Sequence, residues 1–162
     1  KTTVCAWVAL TDASREAGCM EQLSFKGEPR MYQHSPMGLP NSINRAGQTI
    51  IQPFDEANPT AMALTAGQFS LHHELAIHRS APNHAGHRRI GFGISYIPAH
   101  CRHTGSERMS AMLVRGQDRF GHWDPDALPR EDLDPAAMAE LQAVWGQYKD
   151  GETRQVADMA VE

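Results

Sequence analysis

The sequence has few cysteines, no long apolar run and no excess of positive charge. Its 3 cysteines, Cys5, Cys19 and Cys101, form no Cys-x-x-Cys pair, which argues against a disulfide framework or a structural zinc site. No apolar run approaches the roughly 18–20 residues that span a bilayer. A net charge of −4 offers no general basic field for nucleic acid. We therefore expect a cytoplasmic protein with neither a membrane nor a nucleic-acid partner.

The length and composition are those of one globular domain. The 162 residues are 41% hydrophobic and 21% charged, which is enough apolar material for a core. The chain begins at Lys1 rather than at a methionine, and it shows no signal-peptide pattern. We expect residues 1–162 to form a single domain.

Short strand patterns dominate the chain as far as Pro98. Apolar or alternating runs mark the strand candidates at residues 3–10, 19–25, 48–54, 61–73, 74–80 and 88–98. Run 61–73 divides into two strands at a turn with Gly67, and run 74–80 extends or restarts the second of them. This pattern predicts a mainly β fold, a β-sandwich or jelly roll.

Two other segments differ from the strands. Residues 26–46 are rich in Gly, Pro, Asn and Ser and show no sustained period, so we expect a long loop that acts as a mobile lid. After a possible strand at 110–116, the segment from Asp134 predicts a helix, with Asp134 as the cap and Pro135 in the first turn. Its apolar face would carry Ala137, Leu141, Val144, Trp145 and Tyr148.

Histidines are concentrated between Ser70 and Arg89, which hold five of the nine in the chain. A zincin needs His-Glu-x-x-His on a helix, and the sequence HELAIH is one residue too long and lies in a β setting. His84 and His87 fall in a polar loop, where solvated side chains are the usual case. On one continuous strand, at about 3.3 Å per residue, His72 would lie some 20 Å from His78. That distance predicts that these two histidines cannot share a metal ion.

His78 and Arg89 form a more promising pair. His78 ends an apolar run, and Arg89 opens the next strand 11 residues later (89 − 78 = 11). A hairpin across the intervening loop would bring the two side chains together. The imidazole can hold a metal, and the guanidinium can bind a carboxylate through two parallel hydrogen bonds. The spacing alone also allows a purely structural pair.

The stretch LHHELAIHRSAPNHAGHRRIGFGISYIP resembles the distal half of the phytanoyl-CoA dioxygenase family. The family pattern is a histidine, a Gly-Ser-Gly-like turn, an asparagine, a polar loop and an arginine that opens a strand. This chain has His78, Arg79-Ser80-Ala81, Asn83 and Arg89 at those places. Upstream, Trp7 matches the family's Trp-bearing strand, and the segment SAMLVRGQDRFGHWDPDALPREDLDPAAM resembles the end of bacterial members.

The resemblance also shows departures. Ala17 replaces the usual asparagine before Gly18-Cys19, and 24–27 replaces the family's Pro-Gly-Ser-His. The first iron motif, His-x-Asp, occurs nowhere in the 162 residues. In the family it lies upstream of the Trp strand. We therefore expect this chain to be a partial jelly-roll oxygenase domain, without the N-terminal strands and the first iron motif.

The resemblance implies a double-stranded β-helix, a jelly roll with a C-terminal helix in this chain, and Fe(II)- and 2-oxoglutarate-dependent hydroxylation of a small-molecule substrate with O2. In that case His78 is the distal iron ligand and the catalytic residue. Arg89 binds the far carboxylate of 2-oxoglutarate, Ser80 assists, and Trp7 lines the co-substrate pocket. A core role for Trp7 is equally compatible with the sequence.

Other functions remain open at this stage. A non-haem iron halogenase of the same family has a small residue in place of the first-motif carboxylate, and that residue is absent from this chain. A non-catalytic jelly-roll binding module, or a cupin-like protein with another metal, is the alternative from a different class. The sequence identifies neither the substrate nor the oligomeric state.

Overall fold

The computed structural model describes residues 3–36, 48–103, 105 and 108–159. These residues form ten strands and one long helix, so the predicted mainly β fold with a C-terminal helix is confirmed. The elements are Val4–Ala9 (β1), Met20–Gln22 (β2), His34–Pro36 (β3), Gln48–Ile50 (β4), Thr60–Met62 (β5), Phe69–His73 (β6), His78–Ser80 (β7), Gly91–Tyr96 (β8), Ser110–Ala111 (β9), Asp124–Pro125 (β10) and Pro135–Met159 (α1). The chain divides into two compact units, one of Lys1–Tyr32 with Pro53–Pro98 and one of Gln33–Gln52 with Ala99–Glu162.

The first unit contains two three-stranded antiparallel sheets, in the orders β6-β1-β8 and β5-β2-β7. From β5 to β8 each successive strand belongs to the other sheet, which is the strand pattern of a jelly roll. The turn at Gly67 lies between β5 and β6 as predicted, but those strands do not pair with each other. The hairpin expected between His78 and Arg89 is wrong for the same reason, because β7 and β8 lie in different sheets.

Strand register decides which side chains share a face of each sheet. In the β6-β1-β8 sheet, Cys5 pairs with His72, and Trp7 pairs with Ser70, two residues along each strand. Directly opposed residues point to the same side, and so do residues two apart. His72 and Trp7 therefore share a face of this sheet. In the β5-β2-β7 sheet the same rule places His78 and Ser80 on one face.

The chain breaks between β6 and β7. The Ala76 N–H donates to the His73 carbonyl at 2.9 Å, and the Leu75 N–H donates to Nδ1 of His73 at 3.1 Å. These bonds close a turn, and the following strand begins at His78 in the other sheet. Of the two predicted outcomes for residues 74–80, the strand restarts rather than extends.

The second unit differs more from the sequence-based expectations. β3 pairs with β4, although β3 lies inside residues 26–46, where the composition predicts a loop without strands. Residues 37–46 of that segment lie outside the described residues, and its role as a lid stays a prediction. β9 and β10 form a short parallel pair, so the possible strand at 110–116 is only two residues long.

Helix α1 begins where the sequence predicts. Oδ1 of Asp134 accepts a hydrogen bond from the Ala136 N–H at 3.0 Å, which makes Asp134 the cap of the first turn. Oδ2 accepts from the main-chain N–H of Arg130 at 3.1 Å and from its Nε at 3.0 Å. Leu141 and Trp145, expected on the apolar face, are 60% and 48% exposed, and the side chain of Tyr148 lies outside the described residues. Within the part of the chain that the structure describes, no helix combines the length and apolarity needed to cross a membrane.

The cap of α1 generates a pH-dependent prediction. The Arg130 side chain, followed by the Arg130 and Ala136 main-chain N–H groups, lowers the pKa of Asp134 from 3.8 to about 2. Because the pKa is lower in the folded state, the stabilisation is complete above about pH 5 and is lost as the pH falls towards 2. Asp134→Asn keeps a capping side chain without this titration, so we expect its unfolding free energy to fall less between pH 5 and pH 2. Circular dichroism at a series of pH values measures this, and identical acid profiles would contradict it.

Candidate functional site

Arg89 joins the two sheets of the first unit. Its Nη1 donates to Oγ of Ser80 on β7 at 2.9 Å, and also to the carbonyl of Gly18 in the turn before β2. Arg89 itself lies just before β8, which belongs to the other sheet. The structure thus brings Arg89 and Ser80, both predicted from the sequence, into direct contact.

Part of the Arg89 guanidinium remains available. The group has five N–H donors in a fixed fork, and the bonds to Ser80 and Gly18 both use Nη1. Among the described residues, Nε and Nη2 have no hydrogen-bond partner. This side of the fork matches the two oxygens of a carboxylate, which a guanidinium binds through two parallel hydrogen bonds.

Trp7 lies against the same guanidinium. The Cζ atom of Arg89 is 5.9 Å from the centroid of the Trp7 ring, which is at the outer limit of a cation–π contact. The ring also covers Gly91, where an added Cβ would lie 2.0 Å from Cζ2 of Trp7. Only glycine fits beneath the indole at this place. Trp7, Ser80 and Arg89 therefore form one cluster, defined here as the Arg89 cluster.

His78 has a fixed tautomer. Its Nδ1 lies 2.8 Å from the carbonyl oxygen of Ala76, and a carbonyl can only accept a hydrogen bond. Nδ1 therefore carries the proton, and Nε2 carries the free lone pair. A hydrogen bond from one ring nitrogen to a carbonyl is the usual way to orient a histidine that binds metal through the other. The His78 ring is exposed, so Nε2 is open to a ligand.

The face of β7 opposite to His78 and Ser80 carries a different set of charges. Between His78 and Ser80, Arg79 points to the opposite side of the sheet, where Nε donates to Glu21 at 3.0 Å and Nη1 donates to Glu56 at 3.3 Å. Both carboxylates therefore neutralise Arg79. Neither is directed at the face that holds His78.

His72 lies beside His78, contrary to the expectation from the sequence. The two ring centroids are 5.6 Å apart, whereas a continuous strand would separate these residues by about 20 Å. The distance prediction is wrong because the chain turns after His73 and places His78 in the opposite sheet. The sequence signal for this turn was Glu74-Leu75-Ala76, since glutamate and alanine are poor strand formers.

The environment of His72 is unusual for a polar side chain. Its Nδ1 is buried and has no hydrogen-bond partner among the described residues. Burial, and to a lesser degree the charge of His78, lowers the pKa of His72 below its ordinary value. Burial has this effect because it disfavours the charged form of the imidazole.

His72 also lines a cavity of about 390 Å³. The other lining residues come from both sheets and from the turns between them: Gln22, Leu23, Ser24, Phe25, Thr60, Met62, His73 and Ala76. A cavity of about 600 Å³ shares Leu23, Ser24 and Phe25 with the first and includes Ile77, the neighbour of His78. Both volumes are in the range of pockets that bind small molecules.

No group of three or more His, Cys, Asp or Glu side chains comes together in the described ranges. His72 and His78 are therefore a pair of candidate metal ligands without a third. Two other histidines lie in the loop after β7: Nε2 of His87 is 2.9 Å from the Asp12 carbonyl oxygen, and the main-chain N–H of His84 donates to the Glu16 carbonyl.

Comparison with known proteins finds one family model and two solved structures that are similar to this chain. The model of the phytanoyl-CoA dioxygenase family matches residues 1–91, which include the Arg89 cluster and both candidate ligands. Two solved structures of a non-heme monooxygenase, ThoJ, are similar to this chain. The apo form is 28% identical with a TM-score of 0.76, and the match covers 98% of this chain and 55% of that chain. The nickel complex is 28% identical with a TM-score of 0.69, and the match covers 94% and 52%. No curated protein matches, and the chain spans about half the length of the solved proteins.

Gly18 supplies a test of how the cluster is held. Its φ is +69°, and an added Cβ would lie 2.2 Å from the Ala81 carbonyl oxygen. Gly67 is a matched control, because its φ is +86° but nothing lies within 4 Å of its Cβ position. We expect Gly67→Ala to lower the free energy of unfolding by about 1–2 kcal/mol, the cost of the left-handed backbone, and Gly18→Ala to lower it further. Urea denaturation measures both, and an equal loss would show that the contact with Ala81 is unimportant.

Proposed function

This chain belongs to the phytanoyl-CoA dioxygenase family, and we propose that the protein is an Fe(II)- and 2-oxoglutarate-dependent oxygenase that hydroxylates a small organic substrate. The observation that carries this proposal is the free side of the Arg89 fork, near a strand that presents Ser80 and His78 on one face. The Arg89 fork would bind the far carboxylate of 2-oxoglutarate, and the open imidazole of His78 would bind the iron that the co-substrate chelates.

The metal assignment follows from the tautomer of His78. With Nδ1–H donated to the Ala76 carbonyl, Nε2 is the nitrogen that would bind iron, and imidazole is a ligand that suits iron. The carbonyl contact restricts ring rotation and makes the ring a better electron donor. His78 therefore would supply one ligand that suits iron. The family's remaining iron ligands, supplied by a His-x-Asp motif, have no counterpart among the 162 residues.

The Arg89 cluster would bind the co-substrate. Nε and Nη2 of Arg89 would donate to the far carboxylate of 2-oxoglutarate, and the Ser80 hydroxyl, already held by Nη1, would support that position. Trp7 would shield one side of the pocket from water, since its ring covers Gly91 and faces the guanidinium. In a site with less water, the charge-assisted bonds to the carboxylate are stronger.

The substrate would occupy the 390 Å³ cavity that His72 lines. Met62, Phe25 and Leu23 give this cavity apolar walls, while Gln22 and Thr60 offer polar groups that can orient a ligand. When bound, iron supplies the O2 chemistry that couples oxidation of 2-oxoglutarate to succinate and CO2 with hydroxylation of a substrate C–H bond. The chain's own residues bind, orient and desolvate the reactants.

Arg89 provides the test of the proposed function. Arg89→Ala removes both donors to the carboxylate, so we expect the affinity for 2-oxoglutarate to fall by about 1.5–3 kcal/mol, or roughly 10- to 150-fold. Titration calorimetry with Ni(II) in place of iron measures this without turnover. A thermal melt checks that loss of the Gly18 and Ser80 contacts has not unfolded the variant.

Two further variants make the result specific. Arg88→Ala is the matched control, because Arg88 is the exposed neighbour of Arg89 on an extended segment and should leave the affinity nearly unchanged. Arg89→Lys keeps the charge but loses the fork, and it should restore only part of the affinity. An affinity for 2-oxoglutarate that is the same in Arg89→Ala and the unaltered protein would refute the assignment.

A further inference from the structure

We propose that the substrate is an organic acid with an apolar body, and that Arg30 binds its carboxylate in the cavity of about 600 Å³. This cavity and the smaller one of about 390 Å³ have Leu23, Ser24 and Phe25 in common, so the two adjoin. The proposal names the class of substrate, and it rests on the proposed function in taking the smaller cavity as the place of reaction.

Arg30 is a cation of the larger cavity that no carboxylate neutralises. The charged side chains of the lining are Lys26, Glu28, Arg30 and Asp55. Lys26 and Asp55 form an ion pair with each other. Across residues 3–36, 48–103, 105 and 108–159, Arg30 has no ion pair and donates no hydrogen bond. Its five N–H groups are therefore available to a ligand.

Tyr32 supports the guanidinium of Arg30. The Cζ atom of Arg30 is 4.5 Å from the centroid of the Tyr32 ring, well inside the range of a cation–π contact. Tyr32 in turn meets Phe54 edge to face, with ring centroids 5.9 Å apart and planes inclined at 65°. The ring covers one face of the planar guanidinium, whose N–H groups point outward in its own plane. A carboxylate can therefore bind at the edge of the fork through two parallel hydrogen bonds.

The other walls of the cavity fit an apolar body. Leu23, Phe25 and Ile77 line it, and Leu23 and Phe25 continue into the smaller cavity. Ile77 is the chain neighbour of His78, the candidate iron ligand. A molecule held by its carboxylate at Arg30 would extend its apolar part along these side chains towards the smaller cavity. The acid group anchors the substrate, and a C–H bond remote from the acid is the one presented for hydroxylation.

The experiment uses pairs of probes that have the same body and differ in charge. Hexanoate is compared with hexanamide, and 3-phenylpropionate with 3-phenylpropanamide, by titration calorimetry on the full chain. Ni(II) and saturating 2-oxoglutarate are present, so that the fork of Arg89 is already occupied. We expect at least one acid to bind about tenfold or more tightly than its amide, the scale of a charge-assisted bidentate pair.

Variants of the lining assign this preference to a residue. Arg30→Gln should lower the affinity for the acid about tenfold and leave that for the amide unchanged. Arg115→Gln is the matched control, because Arg115 is an exposed arginine outside the cavity, and it should change neither affinity. Glu28→Gln removes a negative charge from the lining and should strengthen acid binding by about twofold, a small effect because this side chain is exposed.

Tyr32 variants test how the guanidinium is held. Tyr32→Phe keeps the ring beneath Arg30 and should keep the affinity for the acid, whereas Tyr32→Leu removes the ring and should lower that affinity several-fold. A thermal melt of each variant shows that it is folded.

Three results would overturn the role of Arg30. They are equal binding of every acid and its amide, acid binding that Arg30→Gln leaves unchanged, and acid binding that disappears when 2-oxoglutarate fills the Arg89 fork. The proposed function is tested separately, since Arg30→Gln should leave the affinity for 2-oxoglutarate unchanged. If Arg89→Ala binds 2-oxoglutarate as tightly as the unaltered protein, the co-substrate assignment falls while an acid preference that depends on Arg30 stands.

Discussion

The turn from His73 to Ile77 determines which side chains of the first unit can meet. Ala76 takes part at both ends of it, since its N–H bonds to the His73 carbonyl and its own carbonyl accepts the proton of His78. The first bond ends β6, and the second orients the ring at the start of β7. A chain that continued straight would carry the two imidazoles of His72 and His78 away from each other. One turn thus sets both the change of sheet and the position of the candidate metal ligand.

Arg89 imposes a second constraint, because the nitrogen that holds the two sheets together is not one of the two that could bind a carboxylate. Nη1 holds the Gly18 carbonyl and the Ser80 hydroxyl, while Nε and Nη2 face no partner among the described residues. A planar group with fixed donor directions can divide its bonds in this way, whereas the single ammonium of lysine cannot. The geometry of the candidate carboxylate site is therefore fixed by the same contacts that hold the two sheets.

The sequence predicts local structure in this chain better than it predicts which strands pair with each other. The apolar run at β1, the cap at Asp134 and the turn at Gly67 depend on neighbouring residues, and all three are where the sequence places them. The partner of each strand depends on residues distant in the chain, so the hairpin between β7 and β8 was wrongly predicted. For the same reason the proximity of His72 and His78 could not be predicted from period-two spacing. The roles of Trp7, His78, Ser80 and Arg89 stay predictions, although three of these residues form one cluster.

The alternation along β7 has an evolutionary consequence. His78 and Ser80 share one face of β7, and Arg79 between them binds Glu21 and Glu56 on the opposite face. Substitutions of Arg79 should be tolerated in related proteins, because exposed ion pairs contribute little to stability. An insertion or deletion of one residue within β7 should not be tolerated, since it would turn the strand over and exchange the ion-paired side chain with His78 and Ser80. Length variation among relatives should therefore be found in the loop after Ser80 and be absent from the strand.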